Sequence, residues 1–223
     1  MSNESQGSRV VILVHGLYMH GRWMALLRRR LARVGHATRV FNYPSLADSV
    51  ETNADALAAW LAGVESERVD FVAHSLGGLI VRSLFHRHPA QRPGRVVTLG
   101  TPHQASFVAR WLAGHGLGVA LGRARARGLL GELPPWDGPV ELGSVAGSRG
   151  LGIGRLIPAL PLPNDGTVAL EETKLEGMTD HVVLPVTHTG LLVSKRVADH
   201  CDQFLRRGCF AASHRVARPR PNP

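Results

Sequence analysis

The sequence predicts an α/β fold with one doubly wound, mostly parallel sheet of about six strands flanked by helices. Short apolar runs rich in Val, Leu and Ile alternate with stretches whose apolar residues recur at helical spacing, which is typical of βαβ units. The chain has 223 residues, of which 44% are hydrophobic. It is therefore long enough for a single domain with a substantial core.

The predicted domain spans residues 10–208, with residues 1–9 as a flexible N-terminus and residues 211–223 as a disordered basic tail. Strands are expected near residues 10–14, 38–42, 69–73, 95–99, 140–145 and 181–186. Helices are expected near residues 22–34, 50–64, 76–87, 104–114 and 191–207. The first strand is a continuous apolar run, which suits a strand buried on both faces of a parallel sheet.

The segment Val72-Ala73-His74-Ser75-Leu76-Gly77-Gly78 predicts a nucleophile elbow, a strained turn that carries one serine between a strand and a helix. Residues 68–73 form the apolar run of the strand, and helical spacing follows Ser75. Small residues are needed two before and two after the serine, and we expect Ala73 and Gly77 to pack against each other. The helix directs its positive dipole end at a developing oxyanion. The alternative is a serine in an ordinary strand–helix turn.

Two backbone N–H groups are expected to form an oxyanion hole. With such an elbow, one N–H comes from the residue after the serine and the other from the loop after an upstream strand. We assign these donors to Leu76 and to Leu17, whose loop follows the first strand. Gly16 lets the backbone approach a substrate oxygen closely. We expect His15 to order this loop rather than to act as the base, because it precedes the serine.

The general base should be a histidine that follows both the serine and the acid. The histidines beyond Asp165 are His181, His188, His200 and His214. Catalytic groups of open α/β sheets gather at the carboxyl ends of the strands. His188 follows the last predicted strand, whereas His181 begins it and the other two lie in the last helix and the tail. We therefore predict His188 as the base, the alternative being a polar residue at a helix start.

Asp165 is the predicted acid. It lies in Asn164-Asp165-Gly166, in a loop that follows the strand near residues 140–145. Asp180 is the main rival, but it precedes the last strand, so about seven extended residues at ~3.3 Å each separate it from His188. The alternative for Asp165 is a plain turn, because Asn, Asp and Gly all favour turns.

Together these motifs resemble those of the α/β-hydrolases, and most closely those of the small lidless bacterial lipases and esterases. The matching segments are Val14-His15-Gly16-Leu17, Ala73-His74-Ser75-Leu76-Gly77-Gly78, Asn164-Asp165-Gly166-Thr167-Val168 and His188-Thr189-Gly190-Leu191-Leu192. Ala-His-Ser in place of Gly-x-Ser is itself a mark of that lipase group. Thr101-Pro102-His103 is also similar to a segment shared by lipase-like hydrolases and lipid-remodelling inositol deacylases.

The resemblance implies hydrolysis of small-molecule acyl esters or lipids by a Ser75–His188–Asp165 triad, without cofactor or metal. It further implies supporting or substrate-binding roles for His15, Gly16, His74 and Gly77. Thioesterases, amidases and cofactor-free perhydrolases use the same frame, and the triad does not separate them from esterases. A non-catalytic lipid-binding relative is a further alternative, although it would not need a base after the last strand.

Two features depart from the secreted lipases. No export signal precedes the first strand and no apolar run approaches the length of a membrane span, so we expect a cytoplasmic location. Residues 103–138 are longer and richer in Arg and Gly than a minimal lidless enzyme needs. This segment is interpreted either as a lid or acyl-binding wall, or as an ordinary covering helix with a surface loop.

The net charge of +9 bears on binding partners. Five arginines crowd one stretch, at Arg22, Arg28, Arg29, Arg30 and Arg33. They indicate either peripheral contact with anionic lipid or a solvated helix face. Nucleic-acid binding is not expected, because there is no reading helix and few aromatic residues lie among the basic ones.

The two cysteines and the histidines predict neither a disulfide nor a metal site. Cys201 and Cys209 lie about 12 Å apart along a helix, which is too far for a disulfide. No group of residues has metal-ligand spacing, despite 12 histidines. The sequence leaves the oligomeric state open.

Overall fold

The computed structural model describes residues 8–92, 94–125, 128–136, 140–152, 154, 157 and 160–210. The strands are β1 (Arg9–Val14), β2 (Ala37–Phe41), β3 (Arg68–His74), β4 (Arg95–Leu99), β5 (Glu141–Gly147) and β6 (Asp180–Leu184). They form one sheet in the order β2-β1-β3-β4-β5-β6, and every neighbouring pair is parallel. The predicted α/β class is confirmed, with a sheet that is parallel throughout. The tail predicted at 211–223 and residues 1–7 lie outside the described residues.

The helices follow the prediction, with two differences that side-chain caps explain. They are α1 (Ala25–Arg33), α2 (Val50–Ala62), α3 (Leu76–Arg87), α4 (Phe107–Gly114), α5 (Gly190–Val193) and α6 (Lys195–Arg207). Helix α4 begins three residues later than expected, because the Ser106 side chain accepts from Ala109 N and sets the N-terminus there. The single helix expected over 191–207 is two helices, because Ser194 caps α6 in the same way.

The helices cover the sheet in two layers, so both faces of each central strand are buried. One layer packs α1, α5 and α6 on the sheet through buried residues such as Leu27, Leu191 and Phe204. The other layer packs α2, α3 and α4 through residues such as Leu57 and Ile80. Successive side chains of a strand point to opposite faces, which accounts for the continuous apolar run of β1.

The chain reverses direction across the sheet between β1 and β3. Strand β2 lies on one side of β1, and β3 lies on the other side, followed in order by β4, β5 and β6. The loops after β1 and β3 therefore diverge at this point, and in open α/β sheets such a reversal leaves a crevice at the carboxyl ends of the strands. The loop of Leu17 follows β1 and Ser75 follows β3.

The described part of residues 103–138 is fastened to the domain by a buried arginine. Arg82 of α3 donates to the carbonyl oxygens of His103 at 2.7 Å, Pro134 at 2.6 Å and Leu133 at 3.3 Å. Burial lowers the pKa of Arg82 to about 10. These bonds hold both ends of the segment, and its role as a lid or wall stays a prediction.

Cys201 and Cys209 are both free thiols.

Within the described ranges, no helix combines the length and the apolar character needed to cross a bilayer.

The amino edge of the sheet is held by Asp70, which is fully buried in β3. Its carboxylate accepts hydrogen bonds from the Arg9 guanidinium and, at 2.7 Å, from Arg95 N. Both arginines also donate to Leu205 O in the last turn of α6. One carboxylate thus ties three strands and the end of a helix together, far from Ser75 at the other end of β3.

We expect Asp70→Asn to lower the free energy of unfolding by about 2 kcal/mol, because Arg9 loses its anionic partner inside the fold. Urea denaturation would measure the change. Glu141→Gln is the matched control, since Glu141 pairs with Arg95 at a half-exposed position and should cost less than about 1 kcal/mol. Equal effects of the two substitutions would contradict a special role for Asp70.

Candidate active site

Ser75 occupies a strained turn between β3 and α3. Its backbone has φ 52° and ψ −121°, a conformation that costs a non-glycine residue about 1–3 kcal/mol. Ser75 N donates to Leu99 O at 2.9 Å, and Thr101 Oγ1 donates to Ser75 O at 2.9 Å. The end of β4 and the residues after it therefore hold the turn. The predicted elbow geometry is present, and the hydroxyl stands at the N-terminus of α3.

Glycines let the first turn of α3 approach the neighbouring strands. A Cβ atom on Gly77 would lie 2.6 Å from the carbonyl oxygens of both Val14 and His15, and one on Gly78 would lie 2.7 Å from Thr101 Cγ2. We expected Gly77 to be small because of Ala73. The nearest atoms instead belong to the end of β1, so the requirement for glycine comes from the neighbouring strand.

Asp165 and His188 meet in a buried hydrogen bond after β5 and β6. His188 Nδ1 donates to Asp165 Oδ2 at 2.7 Å, and the Asp165 carboxylate is almost completely buried. The backbone N–H of His188 also donates to Asp165 O at 2.8 Å. A carboxylate oxygen only accepts hydrogen bonds, so the bond to Asp165 Oδ2 requires the ring proton of His188 to be on Nδ1. The neutral ring then carries no proton on Nε2.

The loop that carries Asp165 is itself hydrogen-bonded around the carboxylate. Asp165 Oδ1 accepts from Thr167 N at 2.9 Å and from Val168 N at 2.8 Å. Both oxygens of the carboxylate are thereby used, one for the loop and one for His188. Asp165 thus both closes the Asn-Asp-Gly turn and pairs with His188. The plain turn considered as an alternative is present, and the same carboxylate also contacts the histidine.

His74 joins the serine turn to His188. Its ring lies against the ring of His188 with centroids 4.6 Å apart, and its Nε2 donates to His188 O at 3.1 Å. Burial, and next the charge of His188, hold the pKa of His74 far below its usual value. A Cβ atom on Gly16 would lie 2.9 Å from His74 Nδ1 and 3.1 Å from Ser75 Cβ. Gly16 therefore makes room for this histidine and for the serine.

The loop after β1 is held by His15 and Tyr43. His15 Nδ1 donates to Gly16 O at 3.0 Å, while Tyr43 donates to His15 O at 2.7 Å. The rings of His15 and Tyr43 are stacked, with centroids 4.3 Å apart and an angle of 6° between the planes. Burial lowers the pKa of His15, which favours the neutral ring. The ordering of this loop by His15 stays a prediction, and these contacts are the ones it would use.

The rival residues lie elsewhere. Asp180 begins β6 and accepts from Phe210 N at 2.8 Å, and His181 hydrogen-bonds with Thr173 Oγ1 at 2.9 Å. His200 lies within α6, and its ring contacts Phe210. None of these three makes a contact with the Asp165–His188 pair in the part of the chain that the structure describes.

Sequence reasoning missed Tyr43, Gly100 and Glu172 among the residues that support the site. Tyr43 follows β2, a neighbour of β1, but no motif marks it. Glu172 accepts from Ala169 N at 2.9 Å and from Phe107 N, so it links the loop that carries Asp165 to the start of α4. Burial raises the pKa of Glu172. In the sequence it is one of two adjacent acidic residues, Glu171 and Glu172, and no motif marks it.

The donor set at the site contains no group of metal ligands. Across the described residues, no three His, Cys, Asp or Glu side chains stand close enough together to hold a metal ion. Asp165 is the one carboxylate in contact with His188, and its two oxygens already have partners.

Comparisons with known proteins agree on the architecture. Residues 1–111 match the family model described as Domain of unknown function (DUF7379). No curated protein sequence matches the chain. Among solved structures, the mature lipase BlEst2 of Bacillus licheniformis is similar with a TM-score of 0.70 at 20% identity, over 92% of this chain and 93% of that one.

Two further solved structures, both of enzymes, have related architectures. The pyrethroid hydrolase of Sphingobium faniae JZ-2 has a TM-score of 0.64 at 15% identity, over 90% of this chain and 98% of that one. The thioesterase RedJ from the prodiginine pathway of Streptomyces coelicolor has a TM-score of 0.60 at 16% identity, over 87% and 85%. These likenesses, with the parallel six-stranded sheet, show that the chain has the α/β-hydrolase fold.

We expect Gly100→Ala to disrupt the Asp165–His188 pair. Gly100 has φ +57°, and a Cβ atom there would lie 3.0 Å from both Asp165 Oδ2 and His188 Nδ1. The downfield proton resonance of the hydrogen-bonded His188 Nδ1–H should therefore be lost, and the melting temperature should fall. Gly116→Ala is the control, since Gly116 has φ +75° with no atom within 4 Å of the added methyl. Retention of the resonance in Gly100→Ala would contradict the geometry.

Proposed function

We propose that this protein is a serine hydrolase that cleaves carboxylic esters through an acyl-serine intermediate, with Ser75 as nucleophile, His188 as general base and Asp165 as its orienting acid. The proposal is carried by the strained Ser75 at the start of α3 together with the buried Asp165–His188 hydrogen bond, whose imidazole ring packs against His74. An ordinary strand–helix turn would need neither the strain nor the buried pair.

The first step is attack of Ser75 Oγ on the acyl carbon. A serine hydroxyl is a weak nucleophile at neutral pH, so His188 Nε2 takes its proton as the new bond forms. Asp165 holds the imidazole with its proton on Nδ1, and its negative charge stabilises the imidazolium. Collapse of the tetrahedral intermediate then transfers the same proton to the departing alcohol and leaves the acyl group on Ser75.

The oxyanion of that intermediate would be held by Leu76 N–H and Leu17 N–H. Leu76 is the first residue of α3, and N–H groups of a first helical turn have no partner within the helix. Leu17 N–H shares a planar trans peptide with Gly16 O, so the two groups point in opposite directions. His15 anchors Gly16 O, and it thereby sets the direction of the Leu17 donor.

Deacylation repeats the sequence with water in place of the serine hydroxyl. His188 takes a proton from the water, and the water oxygen attacks the acyl carbon. Breakdown of the second intermediate returns that proton to Ser75 and releases the carboxylic acid. His74 stays neutral throughout because of its lowered pKa, so no second positive charge opposes the imidazolium beside it.

A thioesterase is the second candidate, and the likeness to RedJ, a thioesterase, supports it. The likenesses to a lipase and a pyrethroid hydrolase favour oxygen esters. Both reactions pass through the same acyl-serine and differ in the leaving group. Comparing kcat/KM for matched oxygen and sulfur esters of one acyl group separates them, and a series of acyl lengths then separates an esterase from a lipase.

We expect Ser75→Ala to abolish ester turnover and labelling by a fluorophosphonate probe, because the attacking oxygen is removed. Intact mass and peptide mapping should locate the wild-type adduct on Ser75. Circular dichroism should show an unchanged fold. Ser49→Ala is the control, since it removes a serine hydroxyl that caps α2 and lies outside the proposed triad, so it should keep both turnover and labelling. Turnover at the wild-type rate by Ser75→Ala would rule out the assignment.

We expect His15→Phe to reduce kcat about tenfold to a hundredfold with little change in KM, because Gly16 O loses the His15 ring as a partner and keeps the longer bond from Met19 N at 3.3 Å. Phenylalanine keeps a flat ring against Tyr43 but cannot donate to Gly16 O. Steady-state kinetics on a soluble ester would measure the effect. His20→Phe, at an exposed position of the same loop, should leave kcat unchanged. An unchanged kcat in His15→Phe would mean that the anchor has no part in catalysis.

A further inference from the structure

The basic charge of this chain is concentrated in one helical layer. The layer formed by α1, its preceding 3-10 turn (Gly21–Met24) and α6 carries nine basic residues against two acidic ones, a net charge of +7 within a chain of +9. The basic residues are Arg22, Arg28, Arg29, Arg30, Arg33, Lys195, Arg196, Arg206 and Arg207. The 3-10 turn and α1 contain no acidic residue.

The opposite layer has no such excess. Helices α2, α3 and α4 hold three arginines and two acidic residues. Arg82 is buried against carbonyl oxygens, and Arg87 forms a two-pronged ion pair with Asp55 at 2.7 and 2.9 Å. The charge of the molecule is therefore asymmetric about the sheet.

The charges of α6 are partly neutralised, whereas those of α1 are not. Lys195 pairs with Asp199, and Arg206 pairs with Asp202. For Arg22, Arg29 and Arg33, no ion pair is found among the residues that the structure describes. Guanidinium groups without carboxylate partners on a solvent-exposed helix are available to an external anion.

Large apolar side chains are exposed among these arginines. Leu27 and Leu31 face the core, so the spacing of α1 puts Arg22, Leu26, Arg29 and Arg33 on its outer side. Trp23 is 57% exposed and Leu26 is 39% exposed, and Val193 in the adjacent α5 is 55% exposed. Arg30 donates to Val193 O at 2.5 Å, which joins α1 to α5. A groove of about 400 Å³ between α1 and α6 is lined by basic residues such as Arg33 and by the carboxylates of Asp199 and Asp202.

We propose that this surface, the α1 face formed by Arg22, Trp23, Leu26, Arg29 and Arg33, docks the protein on an anionic lipid bilayer. Arginines would contact lipid phosphates while Trp23 and Leu26 enter the headgroup region, where an amphipathic aromatic ring is favoured. A purely electrostatic partner such as nucleic acid gives no reason for exposed tryptophan and leucine between the charges. The docking does not depend on the proposed catalytic function.

Sedimentation of the full chain with vesicles tests the proposal. Vesicles of phosphatidylcholine that contain phosphatidylglycerol should bind the protein, whereas pure phosphatidylcholine vesicles should not. Each basic residue near an anionic membrane contributes about fivefold to binding, so Arg22→Gln, Arg29→Gln and Arg33→Gln together should weaken it about a hundredfold. The matching triple change to Lys should retain binding, because it keeps the charge. The emission of Trp23, isolated by comparison with Trp23→Phe, should shift to shorter wavelength on binding.

Controls separate this surface from general basicity and from loss of folding. Arg68→Gln, Arg87→Gln and Arg110→Gln together remove the same charge outside the α1 face and should keep most of the binding. The wild type and the triple Gln variant should turn over a soluble ester at equal rates. Vesicle binding and ester turnover are therefore independent measurements, and failure of the catalytic proposal would not affect the binding result. The proposal would be overturned if the protein did not bind anionic vesicles, or if it bound neutral vesicles equally well. It would also be overturned if the control variant lost vesicle binding to the same extent, or if the protein bound to heparin but not to vesicles.

Discussion

The geometry of the candidate site depends on how closely the start of α3 approaches the ends of β1 and β4. The backbone of Ser75 is strained, and bonds from the end of β4 and the residues after it help to hold it: Leu99 O accepts its N–H, and Thr101 donates to its carbonyl oxygen. A methyl group at Gly77 would push against two carbonyl oxygens of β1. Strain of about 1–3 kcal/mol persists where packing over-determines it, and such strain is concentrated at functional sites.

Three histidines lie near this junction, and each has different surroundings. His15 is stacked on Tyr43 and donates to its own loop, so it orients backbone. His74 is buried, with a pKa held far below its usual value, so it acts as a neutral spacer. Of the three, His188 is the one whose ring is hydrogen-bonded to a carboxylate, that of Asp165. Burial and partner, rather than residue type, therefore separate structural from chemical roles.

The sequence predicted the parts of this arrangement that rest on local patterns. Apolar runs and small residues around Ser75 predicted the strands and the elbow, and position relative to the last strand separated His188 from His181. Long-range packing was not predictable. The atoms nearest to a Cβ on Gly77 belong to the end of β1 rather than to Ala73. Tyr43 reaches the loop of His15 because β2 lies beside β1 in the sheet, which no local pattern indicates. The break at Ser194 was missed because a single capping serine divides a continuous helical pattern.

The measurement that tests the central claim most directly is rapid-quench trapping of the acyl-enzyme with a p-nitrophenyl ester, followed by peptide mass mapping. The account predicts a burst of p-nitrophenol stoichiometric with enzyme and an acyl mass on the peptide that contains Ser75. It also predicts that His188→Gln slows formation of that adduct without moving it. Steady ester turnover with no acyl group on Ser75, or with the acyl group on another residue, would contradict the account.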